Sequence, residues 1–151
     1  AIAAIQNGAH IVTDTSMVQA GINKKILAQF GGAVHCFIAD EDVAAEAKRR
    51  GVTRSTVSME HAAKLDVPLL FAIGNAPTAL IELARLVEAG KLKPELIVGV
   101  PVGFVNVVES KELIMQSSAP YIVARGRKGG SNIAAAIVNA LLYQLVQREG
   151  F

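Results

Sequence analysis

Five short apolar runs punctuate the chain: His10–Thr13, Val34–Ile38, Leu69–Ile73, Leu96–Val98 and Tyr121–Ala124. Each is the length of a buried strand. Between them lie segments with apolar residues at helical spacing and clear end signals. Ala1 to Asn7 reads as the last turns of a helix stopped by Gly8. Short helices follow over Met17–Ala20 and Lys24–Phe30, the second capped by Asn23 and closed by Gly31-Gly32. Glu41–Arg50 is acidic first and basic last, as the helix dipole prefers, with Gly51 after it. Thr53 caps a helix to about Lys64, and Pro77 begins one that runs to Ala89, with Asn75 as its cap. Ser110 is the expected cap of Lys111–Gln116, and Ser131 opens a last helix through Gln147. Strands alternating with helices predict parallel pairing through right-handed crossovers.

At 151 residues, without a repeat or a linker, this pattern fits one domain with a sizeable core. The chain is 52% hydrophobic and 19% charged, which excludes disorder and suits strands covered on both faces. A net charge of +2 gives no case for nucleic acid, and tryptophan is absent, so base-stacking platforms are not expected. No apolar run has the length of a membrane span. Cys36 is the single cysteine, so a disulfide framework is excluded and a reducing cytoplasm is the expected setting.

The last three strand-end loops carry the candidate chemistry: Gly74-Asn75-Ala76-Pro77-Thr78, Gly99-Val100-Pro101-Val102-Gly103-Phe104 and Gly126-Arg127-Lys128-Gly129-Gly130-Ser131. In an open α/β sheet, ligands sit outside the carboxyl ends of the strands, where helix N-termini favour anions. The third loop is neither a Walker A nor a dinucleotide fingerprint. Its glycines let a ligand approach the backbone, or simply make a tight turn with solvated charges. The first is a ligand loop or only a well-made helix start. The second holds Phe104, Val105, Val107 and Val108, which suit a flat apolar ligand or a subunit interface. Arg54, in the first turn of a helix, opposes the dipole and invites a compensating anion, or is a free surface arginine. His10, His35 and His61 share no metal-ligand spacing; His35 reads as a core residue and His61 as a helix-surface one. Asp14 follows the first strand, but the acidic cluster of a phosphoacceptor site is missing.

Taken together and in order, three stretches resemble the precorrin-8X methylmutase family, also called precorrin isomerase or cobalt-precorrin-8 methylmutase. They are Ala72-Ile73-Gly74-Asn75-Ala76-Pro77-Thr78-Ala79-Leu80, Gly99 to Val105 with Glu109-Ser110-Lys111, and Arg125 to Ser131. Asp14, Met17-Val18, Gly21-Ile22 and Thr53-Arg54-Ser55 also look like family positions. The resemblance implies a flavodoxin-like three-layer α/β/α fold with a mainly parallel five-stranded sheet. It implies a homodimer, no cofactor and no metal, and migration of a methyl group from C-11 to C-12 of a corrin precursor in cobalamin biosynthesis. Arg54 matches the family's substrate-binding arginine, and Asn75, Thr78, Gly103 and Ser131 match its pocket loops. Thr53, Phe104, Arg127, Gly129, Gly130 and Asp14 complete the expected substrate-binding set. The family's acid–base histidine belongs to a segment upstream of Gly8, and none of the three histidines here takes its place. The expectation is therefore a single domain, incomplete at its N-terminus, that binds the macrocycle weakly, if at all, and does not reach the full enzyme's rate. A non-catalytic corrinoid or tetrapyrrole binder is the alternative, and a binder of small anionic metabolites the third reading.

Overall fold

The computed structural model describes residues 2–103 and 105–147. Thirteen elements follow one another among them: α1 (Ile2–Gln6), β1 (His10–Thr13), α2 (Ser16–Gly21), α3 (Lys24–Gln29), β2 (Val34–His35), α4 (Glu41–Arg50), α5 (Arg54–Ala62), β3 (Leu69–Ile73), α6 (Pro77–Glu88), β4 (Leu96–Gly99), α7 (Val107–Gln116), β5 (Tyr121–Val123) and α8 (Ser131–Gln147). The strands form one sheet in the order β2-β1-β3-β4-β5, and every neighbouring pair is parallel. The expected flavodoxin-like order is thus present, with its switch point between β1 and β3.

Side-chain alternation assigns the two faces. Ile11, Leu70, Ala72, Leu96 and Val98 pack with Ile5, Val18, Leu27, Ala134, Val138 and Leu142, so α1, α2, α3 and α8 cover one side. Val12, Leu69, Phe71, Ile73 and Ile97 pack with Met59, Leu80, Leu83 and Ile114, so α5, α6 and α7 cover the other. α4 joins α5 through Val43, Ala47 and Val57. No helix among the described residues is long and apolar enough to cross a membrane.

Three sequence expectations are corrected. β2 stops at His35 rather than Ile38, because an edge strand has one partner and the chain turns as the Asp40 amide bonds the Phe37 carbonyl. α7 begins at Val107, not after Ser110; Ser110 is fully buried inside the helix, its hydroxyl donating to the Val107 carbonyl at 2.8 Å. Asn75 does not cap α6, whose N-cap is Ala76 and makes no side-chain cap bond. Thr53 and Asn23 do cap, accepting from Thr56 and Ile26 amides.

Candidate functional site

β1 and β3 end side by side, with Thr13 opposite Ala72, and that register brings Asp14 to the start of α6. Asp14 is 1% exposed and accepts hydrogen bonds from the amides of Gly74, Asn75 and Ala76 at 3.0, 2.9 and 2.7 Å. The cap of α6 is therefore supplied from another strand, and the amides that the sequence offered to a ligand anion are already engaged. Burial pushes the Asp14 carboxyl above the ordinary range, against the pull of these three amides. Asp14 reaches a ligand only through the loop it holds.

Around this clamp the other loops converge. Thr15 caps α2, and its hydroxyl lies 3.3 Å from that of Ser131 at the start of α8. A side chain at Gly74 would come within 2.7 Å of the Ser131 Cα, so the end of β3 touches the backbone of α8 directly. Gly129 is as constrained: a Cβ there would lie 2.0 Å from the Val100 carbonyl oxygen. The Gly130 amide donates to that same oxygen at 2.7 Å, and the Gly103 amide to the Arg127 carbonyl at 3.4 Å. On the far side of α6, the Thr53 hydroxyl donates to that of Thr78 at 3.1 Å, so the starts of α5 and α6 meet. The loops after β1, β3, β4 and β5 thus share one edge, as expected.

Between them lies a cleft of about 240 Å³ lined by Met17, Gly74, Asn75, Val102, Gly130, Ser131 and Asn132. Met17 and Val102 are 66% and 46% exposed, apolar walls over a floor of glycine backbone. Such surroundings suit the face of a flat apolar ligand, with amides and hydroxyls at its rim. Of the expected site residues, Asn75, Gly130 and Ser131 line the cleft itself. Gly103 and Gly129 brace it, while Thr53, Arg54 and Thr78 sit at the paired helix starts, Arg54 exposed. Arg127 is exposed on the loop after β5. Phe104 lies outside the described residues. Val107, expected to face a flat apolar ligand or a subunit interface, is instead in the core, whereas Val105 is 79% exposed. A larger cavity of about 530 Å³ lies at the amino ends of β4 and β5, among Leu92, Pro94, Ala119 and Pro120, away from these loops.

The histidines are elsewhere. His10 begins β1, at the end opposite Asp14. Its Nδ1 is 2.8 Å from His35 Nε2, the two rings stack, and Phe37 stacks on His35 in turn. Burial, then the His10 charge, lowers the pKa of His35. His61 is half-buried, 3.7 Å from Glu46, rather than free on a helix surface.

Sequence reasoning gave Lys111 no role, yet it is 1% exposed and its ammonium donates to the carbonyls of Ala124, Gly126 and Lys128 at 2.6, 2.8 and 2.9 Å. Burial lowers its pKa. The signal was present: Val107, Ser110, Lys111 and Ile114 occupy the spacing of one helix face, and all four are buried.

A family model described as precorrin-8X methylmutase matches residues 1–144. The cobalt-precorrin-8 methylmutase of Priestia megaterium is 48% identical over 140 residues, covering 93% of this chain and 62% of the relative. That of Salmonella typhimurium is 50% identical over 94% of this chain and 66% of the relative. The precorrin-8X methylmutase of Pseudomonas aeruginosa is 45% identical over 92% and 67%. The chain thus spans about two thirds of the length of these relatives. The crystal structure of precorrin-8x methyl mutase from Thermus thermophilus superposes with a TM-score of 0.86 at 36% identity, covering 97% of this chain and 72% of that one. With agreement in sequence along nearly its whole length and in the path of its backbone, the chain belongs to the precorrin-8X methylmutase family.

Proposed function

We propose that this chain supplies the substrate-binding part of an isomerase of cobalamin biosynthesis, which moves a methyl group from C-11 to C-12 of precorrin-8X or cobalt-precorrin-8. The observation that carries the reading is a coincidence of two maps. The stretches that resemble the family are the same stretches that converge at the carboxyl edge of the sheet. The substrate is a broad apolar ring fringed with carboxylates. Met17 and Val102 offer apolar contact to the ring and the side chains of Asn75 and Ser131 polar contact at the fringe, while Gly103, Gly129 and Gly130 hold together the loops that border it. Arg54, with Thr53 and Thr78 beside it, and Arg127 supply charge for peripheral carboxylates. Asp14 shapes the floor. The shift is intramolecular and leaves the ring's oxidation level unchanged, so it calls for no resident redox group. The cobalt-free and cobalt-bearing rings differ at their centre rather than in this fringe, and the reading covers both. Proton transfer is assigned to no histidine described here, since none lines the cleft. A second copy of the chain is the proposed partner, and the cytoplasm the proposed setting.

Arg54→Ala tests the reading. Titrating hydrogenobyrinic acid and following its absorbance should show affinity falling by roughly tenfold or more, the scale of a charged hydrogen bond. Binding should also lose part of its salt dependence. Equal affinity and salt response in the two proteins would leave Arg54 as a solvated surface residue. Failure of the unaltered chain to bind the ring would overturn the reading itself.

A further inference from the structure

The loop after β5 makes few of the bonds that regular structure would provide. Gly126 and Gly130 hold positive φ values of 85° and 122°, and residues 124 to 130 belong to no strand or helix. Three of its carbonyls nevertheless point at one atom, the Nζ of Lys111, which comes from the middle of α7 rather than from the loop. An ammonium has three N–H donors, and here each has an acceptor. The charge sits on a side chain that is almost wholly buried, where an unpaired ammonium would be costly and a fully bonded one is specifying.

The arrangement has a direction. Engaged by Lys111, these three carbonyls do not face an incoming carboxylate. The same loop then leads into Gly129, Gly130 and Ser131, whose backbone and hydroxyl border the cleft. We propose that Lys111 is the positioning residue of the substrate cleft: it holds the loop after β5 with its carbonyls turned inward, so that an anionic fringe meets the start of α8 and not the loop's acceptors. This inference rests on the binding role proposed above and adds to it a residue that does not touch the ligand.

Two measurements separate this inference from that reading. In Lys111→Met, amide hydrogen exchange should speed up across residues 124–131 while β1, β3 and α6 keep their protection, and affinity for hydrogenobyrinic acid should fall by at least about tenfold, as expected for lost bonds to a charged donor. Lys111→Arg, which restores donors and charge, should recover part of both. If Lys111→Met does not fold, the unaltered protein decides by nuclear magnetic resonance: an ammonium bonded to three carbonyls should give a slowly exchanging Nζ–H signal near neutral pH. A rapidly exchanging ammonium overturns the proposal. So does a Lys111→Met protein with unchanged loop exchange, or one with a mobile loop and undiminished affinity. If the unaltered chain binds no macrocycle, the functional reading fails, while the exchange data still report whether Lys111 holds the loop.

Discussion

Single residues show where this chain gives up stability. Ser58 on α5 is fully buried, and its hydroxyl is the one buried side-chain polar atom without a partner among the described residues. An unsatisfied hydroxyl in an apolar setting is a cost, and serine is also a poorer helix former than alanine. Ser58→Ala should therefore stabilise the protein, by about 1 kcal/mol, read as a higher urea midpoint with an unchanged slope. A lower midpoint would mean that the hydroxyl makes a stabilising bond. Asp14 and Lys111 are the opposite case. Both are as buried as Ser58, and each has its polar atoms engaged by three backbone partners. Neither bonding pattern could be read from the sequence, because each depends on loops 60 to 62 or 13 to 17 positions away.

At the scale of elements, what the sequence made legible was whatever local chemistry decides. The five strands, the caps at Thr53 and Asn23 and the stop of α4 at Gly51, with φ 69°, all follow from short-range rules. The misplacements share a cause: tertiary partners override local signals. α6 needs no cap from Asn75 because β1 brings Asp14 to it, and α7 starts early because Val107 is drawn into the core. β2 is shortest because it lies at the edge, and its attachment has a pH signature. The pKa of His35 is lowered, so between its folded value and the ordinary 6.5 the unfolded chain binds the proton better. Stability from this group is full above that range and is lost as the pH falls through it. Melting temperatures taken from about pH 7.5 to about pH 5.5 should drop more for the unaltered protein than for His35→Gln. Parallel drops would show that the His10–His35 contact does not govern the edge.

For the whole molecule, α8 is decisive. It carries no Asp, Glu, Lys or Arg from Ser131 to Gln147. Its inner face completes one core, and Asn139 pins it to the α2–α3 corner, accepting from the Asn23 amide and donating to the Gly21 carbonyl, each at 2.8 Å. Its outer side leaves Ile133 and Tyr143 42% and 43% exposed, and the edge strand β5 leaves Tyr121 44% exposed. An uncharged helix with exposed apolar side chains of this kind is suited to a second copy of the chain. Light scattering after size exclusion should give twice 15.9 kDa, and Tyr143→Glu should shift the mass toward one chain. A single-chain mass for the unaltered protein would exclude that partner. The place of α8 in the chain also matters while the protein is being made. All five strands are synthesised before it, yet Leu70 and Val98 share a core with Ala134 and Val138 of α8, and Ser131 lines the cleft. At cellular elongation rates the nascent chain spends about one to four seconds with α1, α2 and α3 available to that side of the sheet and α8 still missing. Ser131 and Asn132 of the cleft arrive with that helix, so the cleft takes shape only as this interval ends.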